Sequence, residues 1–267
     1  MSSIPLQTTS SSVPVSNEDP LQVVSHRPYP LPRGPWLMQQ NWHDILFMHW
    51  PLDPQLLFPC LPAILRPHLD YYAGTPWVGV IPFWMSGVRP RWLPPLPGLS
   101  QFSELNVRTY LTIDGKPGVY FFSLDANNLP AVWAARLGFG LPYLHARMKT
   151  KKTADRIVYR SERRSPAVGA QFVGEYGPAN EEVFKATPGT LDYFLIERYC
   201  LFVPAGRTIM RGDIHHKPWP LQAAWCRTTA NSVAQADGIR LPTVEPVLHY
   251  ARDLSVFFWP PKREQEN

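Results

Sequence analysis

Apolar and polar residues alternate with period two on either side of Asp114-Gly115, a dipeptide that tolerates the positive φ angles of a tight turn, so the stretch predicts a β-hairpin. A two-residue loop at that pair sets Ile113 against Lys116. The register then sets Leu105 against Leu124, Val107 against Phe122 and Thr109 against Tyr120, an apolar face that belongs in a core. The opposite face sets Glu104 against Asp125, Asn106 against Ser123, Arg108 against Phe121 and Tyr110 against Val119. Such a face either looks at water or closes over a cavity with a few convergent polar groups. The aromatic rings of Phe121 and Tyr110 among the polar groups favour the cavity. Within it Glu104 and Asp125 would repel, and one would hold its proton to higher pH unless Arg108 neutralised the pair.

After Asp125 the period lengthens to that of a helix. Asn127 or Asn128 can cap it, Pro130 suits a first turn, and Leu129, Val132, Arg136 and Phe139 share one stripe. Arg136 would thus face the sheet, paired with Glu104, Asp125 or a bound carboxylate, or else reach past it to solvent. Gly138, Gly140 and Pro142 end the helix, and a strand resumes from Tyr143 to Lys149.

Elsewhere, Gln39 to Trp50 reads as a strand with Asn41, His43, Ile45, Phe47 and His49 on one face and Trp42, Asp44, Leu46, Met48 and Trp50 on the other. Its two histidines stand too far apart to share a metal, and each reads as a hydrogen-bonded wall residue. Asp53 caps a short helix from Pro54 to Phe58. Trp77 to Val88 is apolar on both faces, as in a central strand. Arg89 to Ser100 is a proline-rich connection, either a rigid link or a lid with Trp92 as its cover. Further strands are expected at Val168 to Tyr176, Arg198 to Val203 and Val247 to Trp259, a short helix at Gly189 to Ile196, and a turn leading into a helix or extended segment at Pro218 to Cys226.

Composition narrows these readings. The 267 residues include 31 prolines spread along nearly the whole sequence, which excludes a bundle of long helices and favours strands. A 45% hydrophobic content suffices for one good core. The expected fold class is α+β, mainly antiparallel β, with a few short helices. Residues 1–35 read as a disordered Ser/Pro-rich leader without the basic and apolar regions of a secretory signal, residues 261–267 as a solvent tail, and the length between them as one large β-rich domain or two small ones. The odd cysteine total, Cys60, Cys200 and Cys226, argues against a disulfide framework and points to a reducing cytosol.

No apolar run approaches the ~20 residues of a membrane span. The net charge of +5 is mild. Arg147, Lys149 and Lys151 alternate on one strand face, but aromatic rings for stacking bases are nearly absent there, so no nucleic-acid partner is expected. Asp213 and His215 share a face without a third ligand, so neither metal nor cofactor is expected.

The succession WLMQQNWHDILFMHWPL, DYYAGTPWVGVIPFWMSGVRPR, FSELNVRTY, GVYFFSLDAN, AARLGFGLPY and RYCLFV closely resembles the YqjF-like family of uncharacterised conserved bacterial proteins, from about Trp36 to Pro260. That family is in turn similar to acetoacetate decarboxylase, which implies a single domain over residues 36–260 with a barrel- or cone-like β-rich sheet around a buried cavity. Acetoacetate decarboxylase carries an arginine, then a proline and two adjacent lysines, one of which forms a Schiff base with a β-keto acid. This sequence has Arg136 and Pro142 in matching places, but Tyr143-Leu144 where the lysine pair would stand. Neither side chain can form a Schiff base. Lys149 lies six residues on, roughly 20 Å along an extended strand.

Two functions stay open. In the first, a cavity binds a small organic acid, with Arg108, Arg136, Asn106 and Tyr110 holding the ligand and Glu104, Asp125 or Tyr143 handling a proton, with or without catalysis. In the second, the chain is a non-catalytic scaffold or protein-interaction module whose polar cluster is structural. Homo-oligomerisation is compatible with both.

Overall fold

The computed structural model describes residues 18–130, 140–154, 156–164 and 169–264. Strands dominate: β1 (Met38–Pro51), β2 (Trp77–Pro90), β3 (Phe102–Ile113), β4 (Lys116–Ala126), β5 (Tyr143–Thr153), β6 (Arg156–Arg163), β7 (Gln171–Pro178), β8 (Cys200–Ala205), β9 (Thr208–His215), β10 (Leu221–Asn231), β11 (Val247–Phe258) and β12 (Lys262–Arg263). Helices are short. Asp53 accepts from the Gln55 amide ahead of the α-helix Pro54–Leu57, as the sequence predicts, and Thr190 likewise accepts from the Tyr193 amide ahead of Leu191–Ile196.

The strands form one mixed sheet in the order β12-β9-β8-β4-β3-β2-β1-β11-β10-β7-β6-β5. A further β4–β5 pairing closes a ring of nine strands, β4-β3-β2-β1-β11-β10-β7-β6-β5. A β9–β11 pairing closes a second ring of seven through β8 and β4. The rings share β4, β3, β2, β1 and β11, and apolar side chains gather on both sides of that common wall. Leu105, Val107, Leu111 and Ile113 of β3 join one buried cluster with Tyr159, Phe172 and Tyr176. Phe102 and Tyr110 of the same strand join the other, with Phe83, Leu201 and Trp219.

The Asp114-Gly115 turn forms with φ of 50° and 68°, as the sequence predicts, and Ile113 pairs with Lys116. The expected register holds to Arg108↔Phe121 and then breaks. Phe122 is an extra residue, so Val107 pairs with Ser123, Leu105 with Asp125 and Glu104 with Ala126. This β-bulge moves Ser123 and Asp125 to the face opposite the one expected.

A second irregularity lies in β1, where Asp44 takes φ of 49° and the β1–β2 register shifts. It turns Trp42 to the same side as Ile45 and Phe47, contrary to the strict alternation the sequence suggests. Part of the expected leader is built into the fold, since Arg27 is buried and donates to the Ile214 carbonyl at 2.8 Å. Part of the expected tail is too, as β12 against β9. Among the described residues no helix is long and apolar enough to cross a membrane.

Candidate functional site

Phe102, Glu104, Asn106 and Arg108 alternate along β3 and so share one face, which forms a wall of a pocket of about 210 Å³. Apolar groups complete it: Trp42, Phe47, Phe83 and Phe121 from the common wall, and Leu201, Ile214 and Trp219 from the far side. The volume is below the ~300–1,000 Å³ of drug-sized sites, so the space suits a small molecule.

Glu104 is 3% exposed, and burial pushes its carboxyl up to about 7; the Asp125 charge adds to this, while Tyr143 and the Asn106 amide act against it. The Tyr143 hydroxyl donates to Glu104 Oε2 at 2.6 Å. Tyr143 arrives there because β5 starts parallel to β4, with Tyr143 beside Leu124. Burial and the adjacent Glu104 hold the Tyr143 phenol well above its ordinary value, so it acts as a hydrogen-bond donor. Asn106 is buried, and its Oδ1 has no hydrogen-bond partner among the described residues.

Arg108 lies between the rings of Phe47 and Tyr110, 5.5 Å from each centroid. It donates from Nε to the Tyr110 hydroxyl at 3.3 Å and from Nη2 to the Leu195 carbonyl at 3.1 Å. Among the described residues no carboxylate lies within ion-pair distance of it. Tyr110 stands behind the pocket wall, its hydroxyl 2.6 Å from His49 Nε2, so it supports Arg108 and does not line the space.

Asp125 is the main correction to the expected site. With the bulge it faces the other cluster and accepts from Arg163 Nε at 2.8 Å; Arg163 also reaches Asp237 and Ser123, each at 2.8 Å. Burial pushes Asp125 up to about 6 despite Arg163. Arg136 lies outside the described residues. Trp92 is 73% exposed and is not among the residues that line this pocket. Asp213 pairs with Arg211, and His215 contacts Arg27 and the Pro20 carbonyl; no group of three possible metal ligands occurs among the described residues. Arg147, Lys149 and Lys151 are exposed, and no lysine is among the residues that line the pocket.

Sequence reading missed Trp42, Trp219, His216 and Arg198. Arg198 donates to Asp70 at 2.8 Å and stacks 4.4 Å from the Phe194 ring, so its charge is already paired. Its Asp70 partner lies far away in sequence and left no local signal. Burial pushes His216 down to about 3, so it is neutral at the pocket edge.

Solved structures give the class. The fold matches acetoacetate decarboxylase from Legionella pneumophila with TM-score 0.57 and 14% identity, over 94% of this chain and 97% of that one. It also matches the enduracididine biosynthesis enzyme MppR complexed with pyruvate, with TM-score 0.55 and 10% identity over 86% and 91%. The chain therefore has an acetoacetate decarboxylase-like fold. It belongs to the DUF2071 family of uncharacterized conserved proteins, whose pattern matches residues 39–255. The uncharacterized protein YqjF of Bacillus subtilis is 45% identical over 230 residues, 86% of this chain and 93% of that protein.

Proposed function

We propose that the pocket binds a small organic acid, with Arg108 as the seat of its carboxylate and Glu104 as a proton-holding group beside it. The observation that carries this reading is a buried guanidinium without a carboxylate partner among the described residues, on the same strand face as a buried carboxyl pushed toward neutral pH. An anion bound at Arg108 would make charge-assisted hydrogen bonds in an apolar surrounding. The unpartnered Asn106 Oδ1 is the acceptor for a hydroxyl on the ligand. Glu104, protonated about half the time near pH 7, can give a proton to a ligand carbonyl or take one from its α-carbon, with Tyr143 orienting it.

The fold relatives act on or hold keto acids, one by its name and one with pyruvate bound, which supports keto acids as the ligand class. Lysine-dependent decarboxylation is not part of the proposal, since Tyr143-Leu144 replaces the lysine pair. The competing reading, a scaffold with a structural polar cluster, gains support only from Asp125 and Arg163, which lie on the other face.

The test is thermal melting of wild type and Glu104→Gln against keto acids, hydroxy acids and plain carboxylic acids. Stabilisation of wild type by one acid class, altered in the folded variant, supports the site. No shift with any acid, together with a collapse of stability in the variant, returns the cluster to architecture.

A further inference from the structure

On β1, β2 and β11, six side chains form two rows across three strands. The register pairs Asn41 with Ser86 and with Ser255, and His43 with Trp84 and with Asp253. This face is the one opposite the acid pocket, because Phe83 and Met85, which alternate with Trp84 and Ser86, point to the pocket-side cluster.

Within the rows, His43 Nδ1 is 2.5 Å from Asp253 Oδ1 and His43 Nε2 is 2.7 Å from Ser86 Oγ. One imidazole nitrogen thus faces a carboxylate and the other a hydroxyl, the order in which a serine nucleophile is activated. The imidazole lies on Trp84, with ring centroids 4.1 Å apart and planes at 24°, which fixes its orientation. We propose that Ser86, His43 and Asp253 are the nucleophile, base and positioning carboxylate of a second site that hydrolyses small carboxylic esters.

Asn41 supplies the oxyanion donor. Its Oδ1 accepts from Ser255 at 2.8 Å, which turns the amide nitrogen toward Gly87, next to Ser86. Gly87 has φ of 62°, and a Cβ there would fall 2.7 Å from Asn41 Nδ2, so only glycine leaves that nitrogen its place. The hydrogen bond with His43 also holds the Asp253 carboxyl below the usual carboxylate range, keeping it ionised beside the ring that takes the Ser86 proton.

The reaction balances with water alone. Ser86 Oγ attacks the ester carbonyl while His43 Nε2 takes its proton, and the tetrahedral oxyanion is met by Asn41 Nδ2. Collapse breaks the bond to the alcohol oxygen, which leaves with the proton from His43. Water, deprotonated by His43, then releases the acid and restores the Ser86 hydroxyl. The His43 side chain is 19% exposed and that of Asp253 62%, so the site opens at the surface and suits short acyl groups without an enclosing tunnel.

Diisopropyl fluorophosphate is the probe, read by intact mass and peptide mapping of the full chain. The expected result is one adduct, on Ser86, absent in Ser86→Ala and formed at least about 100-fold more slowly in His43→Gln. Turnover of p-nitrophenyl acetate should follow the same pattern, with Asp253→Asn depressing it and shifting its pH profile and Asp253→Glu restoring it. An unlabelled wild type, or labelling and turnover unchanged in Ser86→Ala, would overturn the proposal. Neither outcome touches the acid pocket, since the probe is mapped to a residue on the other face.

Discussion

The Tyr143 hydroxyl donates to the Glu104 carboxylate at 2.6 Å, across a contact made by the parallel pairing of β4 with β5. Two residues 39 apart in sequence become one buried hydrogen-bonded pair, because the start of one strand is laid beside the end of another. The Tyr143 phenol cannot form an imine, so what the pair can offer is a shared proton.

Glu104 should make stability depend on pH. Its carboxyl titrates near 7 in the fold against an ordinary 4.5, so between those values the native state binds more protons than the unfolded state. Stability from this group is therefore fully present below about pH 4.5 and lost as pH rises to 7, a change of about 3 kcal/mol. Asp125, raised to about 6, adds a slope of the same sign. Urea unfolding from pH 4.5 to 8 should show the decline, and Glu104→Gln, which still accepts from Tyr143, should flatten part of it. A variant with the same slope as wild type would place the titration elsewhere.

Arg163 joins Asp125, Asp237 and Ser123 inside the fold. Replacing it with methionine leaves carboxylates without their cation, and the expected loss is about 3–5 kcal/mol by denaturant titration. A loss under about 1 kcal/mol would mean that the network is not energetically coupled.

Gly118 sits where β4 approaches β8. A Cβ there would lie 2.8 Å from the Cys200 carbonyl oxygen and 2.6 Å from its Sγ, and a backbone atom cannot yield as a side chain would. Gly118→Ala should lower stability by about 1–3 kcal/mol, read as a drop in melting temperature. An unchanged melting temperature would show that the β4–β8 junction adjusts freely.

Borohydride trapping should leave no imine adduct at the pocket. With a β-keto acid present, peptide mapping is expected to find no reduced adduct on a pocket residue, since none of the lining residues is a lysine. A single stoichiometric adduct would overturn the exclusion of Schiff-base chemistry.

The sequence carries the hairpin well because turn chemistry and alternation agree from Ile113 to Arg108, and both faces there are as expected. It does not reveal the bulge at Phe122: an aromatic residue suits either face, so nothing local distinguishes an added residue from a continued strand. The consequence is the misplacement of Asp125. Trp42 is lost in the same way, by the positive φ at Asp44, which reverses the alternation of β1. Tyr143 was singled out in the sequence by resemblance alone, and it is the pairing of β4 with β5 that sets it beside Glu104. The far wall was not, because Ile214 and Trp219 meet the hairpin only when β9 closes the seven-strand ring.

Calorimetric titration of a short-chain keto acid into wild type, Arg108→Met and Glu104→Gln from pH 5.5 to 8.5 bears most directly on the acid pocket. An anion beside Glu104 favours its protonated form, so wild-type binding should take up a proton and weaken as pH rises through 7. Arg108→Met, similar in volume and uncharged, should fold and lose about 10- to 100-fold in affinity. Glu104→Gln should bind with little pH dependence. Absence of binding in wild type, or affinity that neither substitution changes, would contradict an acid site on this face of β3.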